Sequence, residues 1–139
     1  MAKRDRVFID VAFREVHKKM NALLKEKGFS FETKEAFMLA MSLGLETPSE
    51  IQGTRDGFFL LKNLRSHEVN MFYLCAWHHY KDVNKMADEE AVYKIAEQCA
   101  NTGFKTLKRF MVEHQEDFIK KIMLDAMNKT GEGNQEDTE

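Results

Sequence analysis

The sequence predicts an all-α chain: a single compact bundle of about six helices, with room for one short N-terminal β-strand. Three observations carry this. Proline occurs once, at Pro48, and glycine only seven times in 139 residues, so there is little to break helical runs. Two segments, Thr33 to Glu46 and His67 to Asp82, are apolar on nearly every helical face, and each needs cover from several sides. The remaining helical segments each show one apolar stripe, and wrapping those stripes around the two apolar helices satisfies all of them. Residues 1–130 are expected to form one helical domain and 131–139 a disordered acidic tail.

The elements follow in order. "RVFID" alternates Val7 and Ile9 with Phe8 and Asp10, the period-2 pattern of a strand. A lone strand needs a partner, either elsewhere in the chain or in a second copy. Helix 1 is expected from about Val11 to Lys27, with Asp10 as cap, Gly28 as stop, and Phe13, Val16, Met20, Leu23 and Leu24 facing inward. Thr33 is placed to cap helix 2 and Gly44 to end it. Glu46 to Asp56 reads as a loop, and Gly57 to Leu64 suits either a short strand or a helical turn. Ser66 would cap helix 3, which Val69, Phe72, Tyr73, Cys75, Ala76, Trp77 and Tyr80 make nearly as apolar as helix 2. Asp88 would cap helix 4, since Glu89 and Glu90 follow where the helix dipole favours acids, and Gly103 would stop it. Helix 5 is expected over 104–114 and helix 6 over 116–128.

The overall charge of −2 gives no general attraction to nucleic acid or membrane. Its distribution is uneven: residues 1–27 carry eight bases against four acids, while 131–139 carry four acids and no base. No window reaches the length of a membrane span. The N-terminal "MAKRDRVFIDV" lacks the long apolar run of a secretory leader, so a cytoplasmic protein with two reduced, buried thiols, Cys75 and Cys99, is expected.

Few residues suggest chemistry. Cys75, His78 and His79 share a helix, and Cys99 could approach them, but neither a Cys-x-x-Cys nor a His-x-x-x-His pattern accompanies them. A metal-dependent or acid–base enzyme using these residues is the weakest of the functional options. Asp88, Glu89 and Glu90 are explained by a helix start. No phosphate-binding glycine loop or nucleophile elbow is present. The chain is expected to be non-catalytic, with no cofactor and no metal. One option is a protein–protein adaptor in which the apolar surplus of helices 2 and 3, together with Phe29, Phe31, Phe58, Phe59 and the Pro48 loop, forms a docking patch.

The basic alternating stretch "KRDRVFIDV", followed by a helix, a turn and a helix, is similar over residues 3–44 to ribbon-helix-helix DNA-binding proteins. In that family two chains pair their short strands and lay the ribbon in the major groove. The resemblance implies a homodimer on double-stranded DNA, with Lys3, Arg4 and Arg6 facing the DNA and Arg14 and Lys18 at phosphates. A second resemblance rests on "FETKEAFMLAMSLGLE" and "AVYKIAEQCANTGFKTLK". These stretches resemble small helical accessory proteins of prokaryotic DNA-phosphorothioation and phage-defence islands, through Phe31, Thr33, Ala40, Leu43 and Gly44, and through Tyr93, Ile95, Ala96, Glu97, Ala100, Asn101 and Gly103. It implies a non-catalytic DNA-associated accessory protein working alongside other defence proteins.

Overall fold

The computed structural model describes residues 3–114 and 117–124. The chain is mostly helical but carries a two-stranded antiparallel sheet, which amends the all-α expectation. The elements are β1 (Arg6–Asp10), α1 (Phe13–Lys25), α2 (Thr33–Leu43), β2 (Arg55–Leu60), a 3-10 turn (Leu61–Asn63), α3 (Ser66–Tyr80), α4 (Val83–Met86) and α5 (Glu89–Glu113). A further helical stretch, α6, covers 118–124.

The strand at the N-terminus finds its partner inside the chain. β1 pairs with β2, Val7 opposite Phe59 and Ile9 opposite Asp56. The register skips Phe58, an extra residue on β2, so Phe58 and Phe59 both turn into the core although they are neighbours in sequence. The segment 57–64 turns out to be strand and helical turn in succession, and β2 also takes Arg55 and Asp56 from the expected loop. Asp10 closes the strand rather than capping α1: its carboxylate accepts from the Ala12 and Gly53 amides, both at 3.0 Å. Gly28, at φ +79°, turns the chain after α1 as expected.

At α2 the cap lies one residue earlier than Thr33. The Glu35 carboxylate accepts from the Glu32 amide at 2.9 Å, as in a capping box. Helices 4 and 5 of the sequence reading are one helix, the 25-residue α5. Asp88 caps it, accepting from the Glu90 and Ala91 amides. Gly103 does not stop the helix, because it serves a crossing instead. A Cβ on Gly103 would lie 1.6 Å from the Ala40 carbonyl oxygen, and one on Gly44 would lie 1.9 Å from the Cys99 carbonyl oxygen. Glycine at both positions lets the two backbones touch, which outweighs its cost of about 1 kcal/mol in a helix interior.

α5 is the axis of the molecule, in contact with α1, α2, α3, α4 and β1. The enclosed pair is therefore α2 and α5 rather than helices 2 and 3. An aromatic cluster fills the space between α2, α3 and the sheet: the Phe37 ring stacks on Phe72 at 5.6 Å and meets Phe59 edge-on at 5.4 Å. α6 buries Phe118 and Ile122. The remainder of expected helix 6 and the tail 131–139 lie outside the described residues. No described helix is long and apolar enough to cross a membrane.

Candidate functional site

Alternation along β1 predicted Arg4, Arg6 and Phe8 on one outer face. The structure sends Arg4 inward instead. Its guanidinium donates to Glu97 Oε2 at 2.6 Å and to both Glu90 oxygens at 2.7 and 2.6 Å, and its side chain is only 6% exposed. Burial alone would lower its pKa, but the hydrogen bonds to Glu90 and Glu97 prevail and hold it above its already high value. The same contact pushes the Glu90 pKa down. Glu97 is the hub of this cluster, with its side chain 3% exposed. It also accepts from the Phe8 amide at 2.7 Å and from Arg55 Nη2 at 3.4 Å. Arg4 and Arg55 flank the Phe8 ring, 5.8 and 4.6 Å from its centroid.

This clasp occupies the edge of β1 that does not pair with β2. The strand pairing that a ribbon dimer would make between two copies is made here within one chain, and the outer edge is tied to α5. The other cations expected at DNA are also placed. Arg6 is solvent-exposed and pairs with Asp5 at 3.0 Å. Arg14 is held by Asp56 and donates to the Gly57 carbonyl. Lys18 is exposed and lies 3.6 Å from Glu15 on its own helix. Lys3 is exposed. Arg4 and Arg6, expected together on one strand face, are thus separated, one in the clasp and one in solvent, while Arg14 and Lys18 lie on α1.

A second cluster joins α3 to α5. Cys75 Sγ and Cys99 Sγ are 3.8 Å apart, both thiols are free, and both residues are buried. His79 Nε2 lies 2.6 Å from the Leu45 carbonyl oxygen and 3.4 Å from Cys99 Sγ. Its neighbour His78 turns the other way and meets Glu46 at 3.1 Å. The two adjacent histidines therefore serve different partners. Among the described residues, no group of three or more His, Cys, Asp or Glu is arranged to hold a metal ion.

The third feature is apolar. α3 turns Phe72, Cys75 and Ala76 inward and leaves Met71, Leu74 and Trp77 at 43%, 61% and 44% exposure. Helix 3 was expected at the centre of the bundle, but α3 is covered by α5, α4 and the aromatic cluster and leaves this face in solvent. Of the expected aromatic patch, Phe58 and Phe59 are buried, Phe31 is half-buried, and only Phe29 stands in solvent. The adaptor reading pointed to the apolar surplus of helix 3 as a whole, and the stripe within it could not be singled out because apolar residues stand on nearly every face of that helix.

Glu97 was also missed as a hub, although a signal existed. Tyr93, Glu97 and Asn101 repeat every four residues beside the buried stripe of α5, so they share one flank of it. Asn101 lies on that flank and donates to Ser49 Oγ and the Glu50 carbonyl, both at 3.0 Å, which anchors the loop after α2. The residues carrying the second resemblance thus map onto the α2–α5 crossing, through Ala40, Gly44 and Gly103, and onto these two buried polar anchors. They encode the fold. No family model, curated protein or solved structure matches this chain.

Proposed function

We propose that this chain is a non-catalytic adaptor subunit that docks on a protein partner through the outer face of α3. The observation that carries this reading is the stripe of Met71, Leu74 and Trp77, three large apolar side chains on one rigid helix. Exposed apolar clusters of this kind mark interaction surfaces, and tryptophan is the residue type most often found to anchor them. The resemblance of Phe31–Glu46 and Ala91–Lys108 to accessory proteins of DNA-phosphorothioation and phage-defence islands supports another protein of such a system as the partner. The test is affinity capture with tagged wild type and a Leu74→Glu/Trp77→Glu variant in cells carrying a defence island. A partner retained by the wild type and lost by the folded variant is expected. Equal capture by both would overturn the reading.

A second reading, association with double-stranded DNA, has one observation in its favour. A groove of about 670 Å³ between α1 and α5 has Lys19 and Glu15 on one wall and Lys108 on the other, and the exposed Lys18 lies 3.6 Å from Glu15, which leaves the lysines in excess. Lysines in such a place suit a phosphate backbone. Fluorescence anisotropy of a labelled duplex at two salt concentrations tests it. Binding that weakens with salt and is lost in Lys19→Glu/Lys108→Glu would put DNA ahead of the adaptor. The absence of binding at low salt would remove DNA contact altogether.

A further inference from the structure

Two free thiols in van der Waals contact across a helix interface are an unusual pairing. Cys75 lies on α3 and Cys99 on α5, their sulfurs 3.8 Å apart. A disulfide needs about 2.05 Å, so the sulfurs must close by a little under 2 Å. The polar surroundings are specific. The Leu45 carbonyl can only accept, so His79 Nε2 carries a proton, and that N–H also points toward Cys99 Sγ. His79 is only partly buried, whereas both cysteines are buried.

We propose that Cys75 and Cys99 form a peroxide-reactive dithiol site, in which one sulfur is oxidised first and the other resolves it to a disulfide linking α3 to α5. In the reduced pair the Cys75 S–H donates to Cys99 Sγ, and the Cys99 S–H faces the Leu45 carbonyl oxygen at 3.8 Å. Once one of the two sulfurs is ionised, its neighbour's S–H is in place to donate to it, and that thiolate is the nucleophile. It attacks one peroxide oxygen; an S–O bond forms, the O–O bond breaks, and the departing hydroxide takes up the proton that this sulfur lost. The second sulfur then attacks the sulfenic acid; the S–S bond forms, the S–O bond breaks, and hydroxide leaves with the second thiol's proton as water. Two thiols lose two electrons, and one hydrogen peroxide becomes two waters. The burial of both sulfurs excludes bulky disulfides, whereas peroxide is little larger than water and needs only a small opening of the α3–α5 packing at the half-buried His79.

The test is intact-mass spectrometry of the folded, reduced protein after hydrogen peroxide, and separately after oxidised glutathione. Peroxide is expected to remove the mass of two hydrogens, reversibly with reductant, and to yield a linked Cys75–Cys99 peptide. Glutathione should leave the mass unchanged. Cys99→Ala and Cys75→Ala should each lose the two-hydrogen shift, and a dione reagent should trap a sulfenic acid on the remaining cysteine in at least one of them. An unchanged mass with peroxide, glutathionylation of the folded protein, or no trapping in either variant would each overturn the proposal. Circular dichroism of each variant shows that a null result does not come from unfolding.

Discussion

α2 and α3 both carry apolar residues around most of their circumference, yet α2 leaves no large apolar side chain in solvent while α3 exposes Met71, Leu74 and Trp77. The difference lies in where the small residues sit. α2 runs Ala36, Ala40 and Gly44 along one face, so α5 can approach until backbone meets backbone. Phe37, beside that face, stacks into the aromatic cluster. α3 has small residues only at Cys75 and Ala76 on its inner side, and its outer side is all bulk. An apolar helix is enclosed when it offers a neighbour a surface to lie flat against. Without that surface it becomes a wall with an apolar exterior.

The sharpest test of this contrast is within α3. Phe72 is fully buried against Phe37, Phe59 and Tyr93, whereas Leu74, two residues on, is 61% exposed. Phe72→Ala should cost about 3–5 kcal/mol in urea unfolding, from lost burial plus the cavity left behind. Leu74→Ala should cost no more than about 0.5 kcal/mol. Similar losses at the two sites would mean that the outer face of α3 is covered in solution.

The crossing comes next. Gly103→Ala sets a methyl 1.6 Å from the Ala40 carbonyl oxygen. A backbone atom cannot rotate away, so α2 and α5 must separate, at about 3 kcal/mol by the usual cost of overpacking. The same change at an ordinary helical glycine would stabilise by about 1 kcal/mol. The sign of the change in unfolding midpoint therefore decides whether Gly103 is a contact or merely a weak helix position.

Much of the architecture was legible in the residues. The strand at Val7 and Ile9, the cap at Asp88 and the turn at Gly28 are local, and their signals sit within a few positions of one another. What was hidden is long-range. Gly103 looks like a helix stop until Ala40 is placed against it. Arg4 looks like an exposed base until Glu90 and Glu97, on a helix more than eighty residues away, are brought under it. The Cys75–Cys99 contact has the same character: the sequence showed two apolar, helical cysteines, and only the α3–α5 packing makes them neighbours.

The smallest effect concerns the tie between the two helices being compared. At the N-terminus of α3, Glu68 accepts from the Arg65 amide at 2.8 Å and from Lys34 Nζ, on α2, at 3.0 Å. The Arg65 N–H, with Lys34 behind it, holds the Glu68 carboxyl below its ordinary value of 4.5. A carboxylate whose pKa is lowered by folding binds protons more readily in the unfolded chain, so its stabilisation is complete above the ordinary value and is lost as pH falls through the folded one. Glu68→Gln should therefore lower stability by about 1 kcal/mol near neutral pH, the usual net worth of one hydrogen bond. The gap between wild type and variant should close as the solution is acidified below that value. The Arg4–Glu90 pair changes stability in the same direction but is common to both proteins, so it cancels in the difference. A gap that persists unchanged into acid would show that Glu68 holds α2 to α3 by shape and hydrogen bonding alone, with its charge contributing nothing.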